Sequence, residues 1–151
     1  MYDAVIVGAS VAGLYAGLRL SRGGWRVRIV DRRSRIGVPV RCGEATGNRA
    51  ELARFVAIDE HWIASDITGL AAHVGSAFEA RREIPGAGVM LYRDRFERAL
   101  ADTAIGAGAD LTLSTRAVGL SEPARGARGV VLESGEVLRG RAVVGADGCE
   151  S

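Results

Sequence analysis

Tyr2–Asp31, YDAVIVGASVAGLYAGLRLSRGGWRVRIVD, is the stretch from which the rest of the chain is read. Ala4-Val5-Ile6-Val7 is a short apolar run rich in β-branched residues, the pattern of a strand buried on both faces. Gly8, Ser10 and Gly13 follow at the spacing G-x-S-x-x-G. Val11, Leu14, Tyr15 and Leu18 then recur at i, i+3, i+4 and i+7, one face of a helix. Gly23-Gly24 stops that helix, and Val27–Val30 reads as a second buried strand ending in Asp31. The order is strand, tight turn, helix and strand, with an acid 23 residues after the first glycine.

A dinucleotide site needs these residue types at these places. Gly8 lets the chain leave the strand through a turn closed to residues with a Cβ, and Gly13 lets the helix pack close to the strand. The backbone N–H groups of Val11 and Ala12, at the positive end of the helix, suit a pyrophosphate. Asp31 is placed to accept hydrogen bonds from an adenosine ribose. An ordinary Gly-rich β–α turn is the plainer alternative. Ser10 stands where the backbone nearly touches phosphate and glycine is usual. Its hydroxyl suits a helix cap or a phosphate oxygen, and its bulk would equally crowd a ligand.

At 151 residues, 48% of them hydrophobic and 25% charged, the chain is one domain's worth, 1–151, with enough apolar material for a core. All 20 basic residues are arginine and glutamine is absent, a bias that reads as genomic. The arginines are scattered without aromatic interleaving and the net charge is only +2, which argues against a nucleic-acid partner. Two distant cysteines, Cys42 and Cys149, make neither a disulfide scaffold nor a zinc site and fit a reducing cytosol. Asp3, Arg19 and Arg22 exclude a signal peptide from the apolar start. No window approaches the ~20 apolar residues of a membrane span.

Residues 32–44, RRSRIGVPVRCGE, form a loop by their Gly and Pro content. A solvated basic turn is one reading of Arg33 and Arg35, left open by the sequence, while Arg32, directly after the acid, is placed for adenine or a phosphate. A short helix is expected in 48–56, and strands in 67–74 and 77–82 suggest a small antiparallel excursion. His61 and His73 stand apart from any cluster of ligand spacing. Val89–Tyr92 reads as a strand leading into a helix marked by Phe96, Leu100, Thr103 and Ala107. Short strands follow at 109–113 and 116–120, then a turn-rich connection over 122–129. Ser134-Gly135 turns a hairpin between 130–132 and 136–138, and 142–145 is a last strand running into Gly145-Ala146-Asp147-Gly148-Cys149-Glu150-Ser151.

The opening unit followed by IGVPVRCGEATG resembles the FAD-binding N-terminus of the geranylgeranyl reductase flavoproteins, within the wider group similar to p-hydroxybenzoate hydroxylase. The ending matches the G-A-D-G-x-x-S motif of the same proteins. The resemblance implies a Rossmann-like α/β FAD/NAD(P)-binding domain, a parallel sheet plus a small antiparallel excursion. It implies FAD as cofactor, reduced by an external donor such as NAD(P)H or ferredoxin, and saturation of isoprenoid carbon–carbon double bonds. It implies FAD contacts from Cys42, Gly43 and Ala45 on the flavin side, the last a position often glycine in the family. Arg93 matches an arginine that returns to FAD, where a permanently charged fork of donors suits phosphate or ribityl oxygens. Ala117 and Val118 would pass the adenine, and Asp147 would accept from a ribityl or ribose hydroxyl. No residue is singled out as a catalytic acid or base.

Members of this family continue well beyond such an ending, so the chain is expected to be the incomplete FAD-binding part. The remaining FAD contacts, the hydrophobic substrate cavity and any peripheral membrane contact would lie in the portion it lacks. The expected location is cytoplasmic or membrane-associated. A flavin monooxygenase or halogenase shares all these motifs except the Cys-Gly-Glu loop. A nicotinamide dehydrogenase shares only the first unit. A non-catalytic fragment is the third alternative.

Overall fold

A computed structural model describes residues 1–76, 78–124 and 126–148. The parts of the strand, turn and G-A-D-G expectations that fall on Ala77, Arg125, Cys149, Glu150 and Ser151 lie outside the described residues. In chain order the elements are β1 (Tyr2–Val7), α1 (Val11–Arg22), β2 (Val27–Val30), β3 (Ala45–Thr46), α2 (Arg49–Ala53), β4 (Ile63–Val74) and β5 (Phe78–Leu91). Then come α3 (Arg93–Gly106), β6 (Asp110–Thr112), β7 (Ala117–Ala124), β8 (Ala127–Leu132) and β9 (Val137–Gly145). The chain divides into two compact units, one made of Met1–Val38 with Glu97–Ser151, the other of Pro39–Phe96.

The first, split unit carries a six-stranded sheet in the order β6-β2-β1-β9-β8-β7. Its parallel part, β6-β2-β1-β9, is the α/β arrangement expected from the opening motif. Ala4, Val5 and Ile6 of β1 are fully buried, so both faces of that strand are covered, which explains its unbroken apolar run. In β2, Arg28 interrupts the buried residues Val27, Ile29 and Val30. Val5 and Val30 pack into a cluster with Val130, Leu132 and Leu138 of the antiparallel strands. Ile6 and Ile29, one pleat over, point to α1, where a Cβ on Gly17 would come within 2.5 Å of Ile29 Cδ1 and 3.7 Å of Ile6 Cδ1. Alternation across a strand thus sends successive residues into two cores.

The last strand differs from expectation. Residues 137–145 form one continuous strand, not two, pairing antiparallel with β8 and parallel with β1. Arg139-Gly140-Arg141 hides that continuity in the sequence. A Cβ on Gly140 would lie 2.9 Å from the Ala142 carbonyl oxygen and 3.1 Å from Val5 Cγ2, so glycine suits the close approach of β9 to β1. The connection over 122–129 is also mostly strand, since β7 and β8 pair out to Ala124 and Ala127.

The inserted unit is a three-stranded antiparallel sheet, β3-β5-β4, the excursion the sequence suggests. Here too one strand replaces two. β5 runs through Pro85 and Gly86 as an irregularity between the Ile67↔Gly88 and Gly69↔Glu83 pairs, so the turn residues make a bulge instead of a break. Trp62, Val89 and Leu91 are buried at its base. Trp62 meets Phe96 edge-on at 5.0 Å between ring centroids, a favoured aromatic geometry. α2 is short and closed by a capping box between Asn48 and Glu51.

Candidate functional site

The turn from β1 to α1 is built as the glycine spacing requires. Gly8 has φ +104°, and a Cβ there would overlap the Ala146 carbonyl and lie 2.8 Å from Asp147 Cα. A Cβ on Gly13 would run into the Gly8 carbonyl, 2.9 Å from its carbon. The two glycines therefore serve different ends: one a backbone conformation, the other a close helix–strand approach. Ser10 is the N-cap residue, with extended backbone, and its carbonyl accepts the first helical bond from Leu14 N–H at 2.9 Å. Its side chain caps nothing. The orphan N–H groups that open any helix, here those of Val11, Ala12 and Gly13, thus carry no side-chain cap.

The Ser10 hydroxyl instead donates to Glu97 Oε1 at 2.7 Å. Glu97 is buried, 4% exposed, in α3. Its other oxygen, Oε2, accepts from the Arg33 guanidinium at 3.5 Å. Arg33 in turn embraces Asp31, donating from Nε to Oδ1 at 3.0 Å and from Nη2 to Oδ2 at 3.1 Å. Two backbone donors complete the set, Ala9 N–H at 2.6 Å and Arg33 N–H at 2.7 Å. Asp31, Arg33, Glu97 and Ser10 form one polar chain beneath the helix N-terminus.

Burial by itself would raise the Asp31 pKa. The Arg33 side chain, the Ala9 and Arg33 N–H groups and the Arg33 charge outweigh burial and hold the carboxyl below its ordinary 3.8. Asp31 is therefore ionised at neutral pH although only 7% exposed. The hydrogen bonds that Arg33 donates to Asp31 likewise raise the arginine above its ordinary value against the effect of burial. Arg33 is thus not the solvated turn residue that the run of arginines left open. Packing beside two acids draws it inward, while Arg32 and Arg35 stay exposed.

The G-A-D-G end meets the glycine turn directly. β9 lies parallel to β1, Ala146 N–H donates to the Val7 carbonyl at 2.7 Å, and Asp147 follows at the strand tip, exposed. The crossover after β6 passes the same end: Thr115 N–H donates to the Asp31 carbonyl at 2.8 Å. It delivers Ala117 to the Val30 cluster, while Val118 is 55% exposed. Gly8, Ser10, Val11, Ala12, Gly13, Asp31 and Asp147 are accordingly grouped at the C-terminal ends of the parallel strands. A ligand site is expected there in such sheets.

In the inserted unit, the Cys-Gly-Glu loop and Arg93 come together. Arg93 Nη1 reaches Cys42 Sγ at 3.6 Å, and the Arg93 N–H donates to Glu44 Oε1 at 3.3 Å. Glu44 thereby places a carboxylate on the first turn of α3, where the helix dipole favours it. It holds φ +63°, rare for a residue with a side chain. Ala45 follows in β3, paired with Met90, and Cys42 and Gly43 are exposed.

Sequence reading missed Glu97 and the inward role of Arg33. A signal for Glu97 was present, since it shares a helix face at i, i+4 and i+7 with Ala101 and Ala104, both buried. An acid on such a face calls for partners. Arg33 had no such signal, because its acids lie on other elements. Among the described residues, no group of His, Cys, Asp and Glu could hold a metal ion.

The residues fit the ADP half of a dinucleotide, with an uncapped helix start, a glycine turn and an ionised acid at the next strand tip. One feature qualifies the fit: both Asp31 oxygens already accept from Arg33, so ribose hydroxyls would share or displace that guanidinium.

The FAD binding domain family matches the chain over residues 1–151. A digeranylgeranylglycerophospholipid reductase of Methanosarcina acetivorans is 38% identical over 158 aligned residues, which take in all of this chain and 39% of that protein. A geranylgeranyl bacteriochlorophyll reductase-like protein of Thermoplasma acidophilum superposes with a TM-score of 0.82 at 28% identity, covering 99% of this chain and 40% of that one. A halogenase crystallised with phloroglucinol and FAD superposes at 0.75 with 16% identity, over 96% of this chain and 34% of its own, a likeness of fold alone. The chain thus spans about two fifths of the relatives it matches. A glycine turn, an ionised acid and a G-A-D-G strand tip at one sheet end, matched along the whole length, make this chain a member of the FAD binding domain family.

Proposed function

We propose that the chain supplies the ADP-binding part of the FAD site in a flavin-dependent reductase of isoprenoid carbon–carbon double bonds. The observation that carries the reading is 38% identity, sustained over the whole chain, to a digeranylgeranylglycerophospholipid reductase. The Val11, Ala12 and Gly13 N–H groups receive the pyrophosphate, and Ser10 lies at its edge. Asp31 accepts from the adenosine ribose, with Arg32, Ala117 and Val118 toward the adenine. Asp147 accepts from a ribityl or ribose hydroxyl. In the inserted unit, Cys42, Gly43 and Ala45 contact the flavin side, and Arg93 presents its fork of donors to phosphate or ribityl oxygens. When bound, FAD supplies hydride transfer to the double bond; the protein supplies binding, orientation and electrostatics.

The electron donor belongs to the class of NAD(P)H or ferredoxin. An isoprenoid substrate resides in lipid, so peripheral membrane contact is part of the proposal. Among the described residues, no helix is long and apolar enough to cross a membrane.

Two measurements test this reading. Titration of FAD into the chain should quench flavin fluorescence saturably, with ADP competing; no binding of either ends the dinucleotide reading. A full-length protein carrying this chain, with reduced FAD and a geranylgeranyl lipid, should yield a product heavier by one H2 for each bond saturated. Rapid oxygen consumption with an aromatic substrate, and no saturation, would mark a monooxygenase instead.

A further inference from the structure

Ser10 raises a problem that the fold itself answers. A serine with N-cap backbone normally turns its hydroxyl onto the N–H of the second or third helical residue, here Ala12 or Gly13. Those are the donors a pyrophosphate needs. In this structure the cap bond is absent, and the hydroxyl is held 2.7 Å from Glu97 Oε1. Glu97 could not be placed there by chance of solvation, being 4% exposed. Its charge would repel a pyrophosphate, yet Arg33 faces its other oxygen at 3.5 Å and brings a compensating cation.

We propose that Glu97 is a positioning residue that latches the Ser10 hydroxyl aside, so that serine can replace glycine in this turn without capping the phosphate-binding end of α1. Arg33 neutralises the latch and ties it to Asp31. The inference rests on the dinucleotide reading above and extends it to a residue that contacts no ligand itself. The latch explains why both features occur together: the serine needs the acid, and the buried acid needs the arginine.

The test separates charge from latching. E97A and E97Q both remove the negative charge, but the glutamine carbonyl still accepts from Ser10. Calorimetric titration with ADP should find E97A roughly fivefold to tenfold weaker than E97Q, the worth of one helix cap competing for the same N–H groups. Adenosine, which lacks the pyrophosphate, should bind both variants alike. Introducing S10G into each variant removes the hydroxyl and should abolish the difference for ADP. Equal ADP affinity of E97A and E97Q would overturn the latch, as would a difference that persists with S10G. A parallel loss of adenosine binding in E97A would also overturn it, by marking general damage to the fold. Failure of the unmodified chain to bind ADP or FAD would instead reject the dinucleotide reading on which the latch depends.

Discussion

Replacing Asp31 by asparagine tests the polar chain at its most connected point. Four hydrogen bonds end on the two carboxylate oxygens, from Ala9 N–H, Arg33 N–H, Arg33 Nε and Arg33 Nη2, at 2.6 to 3.1 Å. An amide offers one acceptor oxygen, and its NH2 would face donors whichever way it turned. Charge-assisted bonds contribute about 1.5–3 kcal/mol each, and orphaning one partner of a buried pair costs about 3–5 kcal/mol. Arg33 keeps Glu97 as a second acid, and its side chain is 23% exposed, so the cost falls below that range. We expect D31N to lose about 2–3 kcal/mol at neutral pH.

The pH dependence has a definite sign. The folded pKa of Asp31 lies below 3.8, so its contribution is present above that value and is lost as pH falls through the folded pKa. Urea unfolding followed by circular dichroism should therefore give a gap between the parent and D31N that is constant from about pH 7 to pH 5. The gap should narrow below 3.8. A neutral-pH gap under about 1 kcal/mol, or one unchanged at the acid end, would refute the reasoning.

Two glycines in α1 should respond differently to alanine. At Gly13 the obstruction is the Gly8 carbonyl, whereas at Gly17 it is the far end of the Ile29 side chain. G13A should lose about 2 kcal/mol or more together with ADP binding, while G17A should stay within about 1 kcal/mol of the parent because helix propensity offsets the crowding. Equal urea midpoints for the two variants would contradict this reading. R93K keeps the charge but loses the planar fork, and should weaken FAD binding about tenfold by fluorescence titration. Unchanged affinity in both R93K and R93A would remove Arg93 from the cofactor site.

The sequence by itself determined what depends on neighbours along the chain. Strand β1, the turn at Gly8–Gly13, helix α1 and strand β2 ending at Asp31 were all legible, because hydrophobic period and glycine placement act within a few residues. The hairpin at Ser134-Gly135 and the antiparallel excursion were legible for the same reason. Long strands interrupted by glycine or proline were not, since Gly140, Pro85 and Gly86 look like breaks until a partner strand supplies the pairing. The meeting of Ala146 with Val7, of Arg93 with Cys42, and of Ser10 with Glu97 87 residues away was decided only by tertiary structure. The physical reason is that a buried charge takes its character from whatever the fold packs beside it: Arg33 in a run of arginines reads as solvent-facing until Asp31 and Glu97 are brought to the same place.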